Sequence, residues 1–186
     1  QLAQAGLPAP QRIVLSHGHW DHAGGALDFS DVPILAPDEE IAYVAQPHTL
    51  VLPSQFRFAT TRWQPIHFGH KPVAGISRSF ELFGDASATL VPMPGHTPGS
   101  MGLLLVTGSG KRFFLVGDAV WKAEAIAAVS PRFWLARQVA DADQDQALQR
   151  VSYLHAFQAA NPDVVIIPAH DADVHQRLGY FPQWVQ

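Results

Sequence analysis

Cysteine is absent from the 186 residues. Disulfides, thiolate zinc sites and thiol nucleophiles are thereby excluded together, and the redox compartment stays undetermined. Long apolar runs are missing too: no stretch approaches the roughly 20 residues of a membrane-spanning helix, so no membrane association is expected. Basic runs are also lacking, because twelve Lys and Arg lie scattered among sixteen Asp and Glu, for a net charge of -4. Nucleic acid calls for a basic face and is set aside as a partner. Apolar residues at 47% and charged residues at 15% leave an ordinary globular composition, and 1–186 reads as one domain with one sizeable core. The chain opens Gln1-Leu2-Ala3 without Met. A leader or early strands would lie upstream, and localisation is left open with the cytoplasm favoured.

What the sequence does have is histidine, ten in all. Imidazole is the commonest metal ligand, so the placement of these residues is the first thing to test. Ile13-Val14-Leu15 reads as a buried strand delivering Ser16-His17 into a loop. Asp21 to Phe29 reads as a short helix and Val32 to Ala36 as a second strand. Pro37-Asp38-Glu39-Glu40 opens a helix to about Gln46, with Pro at its first position and carboxylates facing the positive end of the dipole. Strands are expected at Ser79–Phe83 and Ala88–Met93, and a hairpin from Met101–Thr107 and Arg112–Val116. A helix over Asp145 to Ala160 ends at Asn161-Pro162, and Val164–Ile167 is a last strand.

Between Pro47 and Ile76 periodicity dissolves among prolines 47, 53, 65 and 72 and the aromatics Phe56, Phe58, Trp63 and Phe68. This segment reads as a lid or interface insertion, in the second case making a homodimer contact; a surface excursion packing its own aromatics is the alternative.

The polar clusters each follow an apolar strand: His17 to His22, His96, Asp118 and His170. Strands of one sheet or sandwich would bring all four loops to a single edge. In His17-Gly18-His19-Trp20-Asp21-His22 the donors are nitrogen and carboxylate oxygen, which hold zinc, manganese or iron without sulfur. Residues two apart in an extended loop point to one side, so His17 and His19 can share an ion. The following turn redirects Asp21 and His22 towards a second position. His96 sits in the stiff loop Pro94-Gly95-His96-Thr97-Pro98-Gly99, and Asp118 can bridge two cations with its two oxygens.

In this order, HxHxDH, GHTPG, GD and a final AH, the chain resembles the metallo-β-lactamase superfamily of binuclear hydrolases from about residue 11 onward. The resemblance implies an α/β fold, the αββα sandwich of two face-to-face sheets with helices outside. It implies two divalent metal ions, zinc first with manganese, iron or cobalt as alternatives. His17, His19 and His96 would hold the first ion, Asp21, His22 and His170 the second, with Asp118 between. A metal-bridging hydroxide would attack a lactone or ester, Asp21 serving as proton shuttle. Family members place several strands before HxHxDH, whereas one precedes it here, so missing N-terminal strands and an exposed sheet edge are expected.

Subfamilies are narrowed by residue. The β-lactamase groups that keep cysteine at the position of Asp118 are excluded, as are flavodiiron proteins, which carry a carboxylate where His19 stands. Glyoxalase II-like thioesterases add a helical domain for which residues 171–186 are too few. The resemblance is nearest to N-acyl-homoserine lactonases, through Leu15 to Gly25, Pro94 to Gly99, Gly117-Asp118-Ala119, Ala169-His170-Asp171 and Phe181-Pro182. Those enzymes place a substrate-binding tyrosine three residues after the bridging aspartate. Trp121 stands there instead, able to donate its indole N–H but not to act as an acid. A different lactone or ester, an organophosphate or a thioester thus stays open as substrate, and so does a metal-binding scaffold without turnover. Trp20, Trp121, Phe133 and Trp134 imply a partly apolar small molecule if they face the ions. His48, His67, His70, His155 and His175 are not expected to be ligands.

Overall fold

A computed structural model describes residues 2–29, 31–56 and 62–180. Its strands are β1 (Ile13–Val14), β2 (Ile34–Pro37), β3 (Trp63–Ile66), β4 (Phe80–Glu81), β5 (Ala88–Pro92), β6 (Met101–Val106), β7 (Arg112–Gly117) and β8 (Val164–Pro168). Its helices are α1 (Trp20–Ala23), α2 (Asp38–Val44), α3 (Ala123–Ala128), α4 (Trp134–Ala140), α5 (Gln144–Ala160) and α6 (Ala172–Leu178). The strands form two sheets, β1-β2-β3 and β4-β5-β6-β7-β8.

Side-chain alternation along the strands sorts the core into layers. Ile34 faces outward to Leu15, Ala23, Val44 and Phe56 beneath α1 and α2. Its neighbour Leu35 faces inward, meeting Ile66, Leu90 and Met101 between the two sheets. The far face of the second sheet, with Val91, Phe114, Val116 and Ile166, packs on Ile126, Val151, Leu154 and Phe157 of α3 and α5. Helix, sheet, sheet, helix is the αββα sandwich.

Strand direction then decides where function can sit. β1, β2 and β3 are parallel. β6 runs antiparallel to both β5 and β7, and β8 is parallel to β7, so β5, β7 and β8 all point one way. The amide of Met101 donates to the carbonyl of Ser16 at 3.0 Å, tying the end of β1 to the mouth of the second sheet. Four carboxyl ends therefore share one edge.

Several local expectations are corrected. The helix over Asp21 to Phe29 starts at Trp20 and tightens to a 3-10 turn over Gly24–Phe29, since the Gly24-Gly25 pair weakens the α form. Pro37 caps α2 instead of opening it. The 47–76 segment holds a 3-10 turn at Pro53–Phe56 and strand β3, parallel to β2. Pro65 hides this strand from a reading by pattern, and an edge position tolerates its missing N–H. Phe58 lies outside the described residues. Residues 2–12 form turns and coil before β1, which stands at the free edge of its sheet.

The α5 prediction holds within a residue. Asp143 caps it by accepting from the Gln146 amide at 2.9 Å, and Ala147, Val151, Leu154 and Phe157 form its buried face. Gly95 lies against this helix with φ +136°, where an added Cβ would fall 2.5 Å from the Ala147 nitrogen. Gly95→Ala is expected to lower unfolding free energy by about 2–4 kcal/mol, through backbone strain and overlap. Denaturant titration checks this, and an unchanged midpoint would contradict the close packing.

Candidate metal centre

All seven expected ligands meet at the shared edge. Their donor atoms fall into three overlapping groups: His17, His19 and His96; His17, His22 and Asp118; and Asp21, His22 and His170. Within each group the donors lie within 4.8 Å of one another. The rings of His17, His19 and His96 stand edge-on in a triangle, with centroids 4.8, 4.7 and 4.6 Å apart. On the other side His22 Nε2 and His170 Nε2 are 3.2 Å apart, and Asp21 Oδ2 lies 3.6 and 3.4 Å from them. Asp118 sits between. Its Oδ2 is 3.4 Å from His96 Nε2 and 3.3 Å from His170 Nε2, and its Oδ1 is 3.2 Å from His22 Nε2 but off the axis of a hydrogen bond.

The arrangement fits cations on its own chemistry. His17 Nε2, His96 Nε2 and Asp118 Oδ1 are buried with no hydrogen-bond partner, a state that costs about 1–3 kcal/mol per group unless a ligand satisfies it. The outer nitrogens are fixed from behind. His96 Nδ1 donates to Asp141 at 2.9 Å, which leaves Nε2 as a lone pair facing the cluster. Asp141 is held in turn by Arg132 at 2.7 Å. His19 Nε2 meets the Tyr43 hydroxyl at 3.2 Å, leaving Nδ1 for an ion.

The electrostatics keep the donors ready. Burial, then repulsion from His22 and His96, holds His17 well below the ordinary imidazole value. Burial and His96 lower His19 to about 3, and burial lowers His96 against the upward pull of Asp141. Burial works upward on Asp118, yet His22, His17 and His96 outweigh it and keep the carboxylate ionised well below the usual range. His22 moves up, because Asp118 and Asp21 overcome the effect of its burial.

A cleft of about 370 Å³ opens over the cluster, lined by His19, Trp20, Asp21, Leu50, His96, Asp118, Trp121, Ala136, Val139, Ala140 and His170. Trp20 is 49% exposed at its rim. The Trp121 indole N–H donates to Asp118 Oδ2 at 2.7 Å, so this side chain orients the central carboxylate as well as lining the cleft. Phe133 and Trp134 are not among the lining residues; they stand exposed at the start of α4, Phe133 as its N-cap, while Ala136, Val139 and Ala140 of that helix form the wall.

Of the histidines set aside, His48 stacks on Tyr43 at 3.9 Å, His67 pairs with Asp38, and His155 and His175 bond the carbonyls of Ile126 and Pro168. Asp141, Arg132, Tyr43 and Glu40 are the contributors that sequence reasoning missed. Asp141 and Arg132 lie in a stretch without periodic pattern, and the helix that carries Glu40 and Tyr43 suggested only a dipole role for its carboxylates. Phe181-Pro182 lies outside the described residues.

The profile of the Metallo-beta-lactamase superfamily matches residues 1–170. The chain belongs to that superfamily. Among its relatives, an N-acyl homoserine lactonase from Bacillus sp is 25% identical over 173 residues, covering 93% of this chain and 60% of its own length. A solved B. thuringiensis AiiA mutant with N-decanoyl-L-homoserine bound superposes with a TM-score of 0.73 at 22% identity, over 93% of this chain and 60% of that one. The dizinc quorum-quenching lactonase AidC gives 0.63 at 19%, over 92% and 61%. These structural likenesses show the superfamily fold. The chain spans about 60% of the length of the relatives it matches.

One consequence concerns the metal-free chain. His17, His19 and His96 stay neutral when folded but protonate in the unfolded chain below about pH 6.5. The unfolded state then binds more protons, so stability falls as pH drops from 6.5 towards the folded value, about 3 for His19. Each such imidazole contributes up to about 1.4 kcal/mol per pH unit in that window, and the raised His22 opposes the trend only near its own value. Denaturant titrations of chelator-treated protein from pH 7 to 4 check this; a midpoint that stays level or rises on acidification contradicts it.

Proposed function

We propose that the chain is a metal-dependent hydrolase that opens a lactone or ester of a partly apolar small molecule at a two-ion centre. The observation that carries the reading is Asp118, buried between a three-histidine group and an Asp-His-His group, with an oxygen that no protein donor satisfies. His17, His19 and His96 would hold one ion, Asp21, His22 and His170 the other, and Asp118 both. When bound, two such ions supply hydroxide from water near neutral pH and positive charge for the oxyanion of the transition state. The sulfur-free donor set is assigned to zinc, with manganese, iron and cobalt admitted by the same ligands; the dizinc character of AidC supports zinc.

The chain's own residues do the rest. Asp21 keeps about a third of its side chain in the solvent beside His170 and is placed to pass a proton to the departing alkoxide. Trp121 keeps Asp118 in one orientation. Trp20, Leu50, Ala136 and Val139 make an apolar wall over the donors, suited to a hydrocarbon substituent on the substrate. The lactonase relatives support a cyclic ester. The 47–76 segment contributes Leu50 to the cleft, which favours its role as a lid; a homodimer contact through the rest of it is the second assignment.

A panel of acyl-homoserine lactones, other lactones, thioesters, β-lactams and phosphotriesters, offered to the zinc-loaded chain, tests the reading. Turnover is expected on lactones bearing an apolar tail. Asp118→Ala is expected to lower kcat/KM by about 10³-fold or more, the scale on which metal-centre charge stabilisation acts. Full activity in that variant would sink the scheme, and preferential turnover of phosphotriesters would move the assignment to that class.

A further inference from the structure

We infer that Glu40 is a positioning residue for the first ion, clamping the loop of His17 and His19 to the loop of His96 from behind. The inference rests on the two-ion reading above and adds a residue that touches no donor atom. Glu40 is fully buried on α2. Its Oε1 accepts from the Gly18 amide at 2.6 Å, the peptide between the two histidines. Its Oε2 accepts from the Thr97 hydroxyl at 2.6 Å and the Gly99 amide at 3.0 Å, in the loop of His96. One carboxylate thus spans both ligand loops.

The donors also define its charge. Two of the three partners are backbone amides, which can only donate, so each oxygen is used as an acceptor. The Thr97 hydroxyl is itself oriented, because Ser100 Oγ lies 2.7 Å from it and accepts from the Thr97 amide at 3.0 Å. Among the described residues no Lys, Arg or His pairs with Glu40. Burial lifts its carboxyl above the ordinary value, and the Thr97, Gly18 and Gly99 bonds offset only part of that rise. A buried carboxylate in this setting favours a cation nearby over an empty cluster of imidazoles.

Glycine makes the approach possible. A Cβ on Gly18 would fall 2.0 Å from Val44 Cγ1, and one on Gly99 would fall 2.4 Å from the Glu40 nitrogen. Both loops therefore rest directly on α2. On the same helix Tyr43 meets His19 Nε2, so a shift of α2 moves two of the three histidines at once.

The test uses the chain with Glu40→Gln and, as a milder change, Thr97→Val, which removes one donor to the carboxylate. The Gln amide would place a donor against the Gly18 or Gly99 N–H. Zinc affinity is measured against a chromophoric chelator, and the cobalt-substituted absorption spectrum reports the geometry of each ion. Glu40→Gln is expected to weaken one of two ions about 10- to 100-fold, the range typical of lost outer partners. Its cobalt band is expected to shift, while the other ion changes less than about threefold. Thr97→Val is expected to move the same ion in the same direction by less. If both affinities and the cobalt spectrum stay within twofold, or if both ions weaken equally with the melting temperature, Glu40 is only structural and the inference fails. Should Glu40→Gln not fold, retained affinity in Thr97→Val overturns it alone. An unmodified chain that takes up no zinc would instead overturn the two-ion reading.

Discussion

The structure depends on polar atoms buried without protein partners. His17 Nε2, His96 Nε2 and Asp118 Oδ1 lie together beneath the cleft, buried and without a hydrogen-bond partner. Protonation does not relieve them near neutral pH, because burial and mutual repulsion hold His17, His19 and His96 neutral. Asp118 is the sole carboxylate among these buried donors and is kept ionised by the rings around it. Lone pairs and one negative charge converge, and a divalent cation is the chemical species that relieves them. The remaining architecture can be understood as what is needed to keep those atoms in place against their own desolvation cost.

That architecture works through strand ends. β5, β7 and β8 run the same way, and the Met101 amide ties the end of β1 beside them. β1 and β5 carry apolar contacts on both faces, and β7 and β8 pack on α3 and α5 through one face, so the loops that leave them start from anchored points. The loops are then locked from outside: Glu40 to Gly18, Thr97 and Gly99; Asp141 and Arg132 to His96; and Asp171, which accepts from the Ala123 and Val174 amides beyond His170. The second group is more open, with His170 and Asp21 partly in solvent. A rigid, buried triangle beside an accessible pair suits one ion held tightly and a neighbour that meets substrate.

The convergence of the seven cluster residues was legible in the sequence because the side chains that metal ligation calls for stand at short loop spacings, and that pattern survives as a motif. The layers were legible in part: Ile34-Leu35-Ala36 reads as a buried strand because the run is continuously apolar, and the extent of α5 was legible although its buried face, Ala147, Val151, Leu154 and Phe157, is not the one that Leu148 and His155 at helical spacing suggest. The supports were not. Glu40 sits in an acidic helix start that reads as complementing the helix dipole, and only the tertiary approach of Gly18 and Gly99 gives it a buried role. Asp141 lies in the alternating run Ala140-Asp141-Ala142-Asp143, which follows no helical spacing and gives no sign of which carboxylate turns inward. β3 escaped because Pro65 interrupts it, and α4 because its large apolar residues face outward, which inverts the usual helical pattern. Trp121 was legible as a residue near the site but not as a donor to Asp118, a contact made by the turn that follows β7.

The most direct test of a cation-dependent cluster is to count the ions. Native mass spectrometry of the chelator-stripped chain, titrated with zinc, is expected to show uptake that ends at two ions per chain. An end point of one, or none at concentrations that saturate the exposed histidines, would contradict the account.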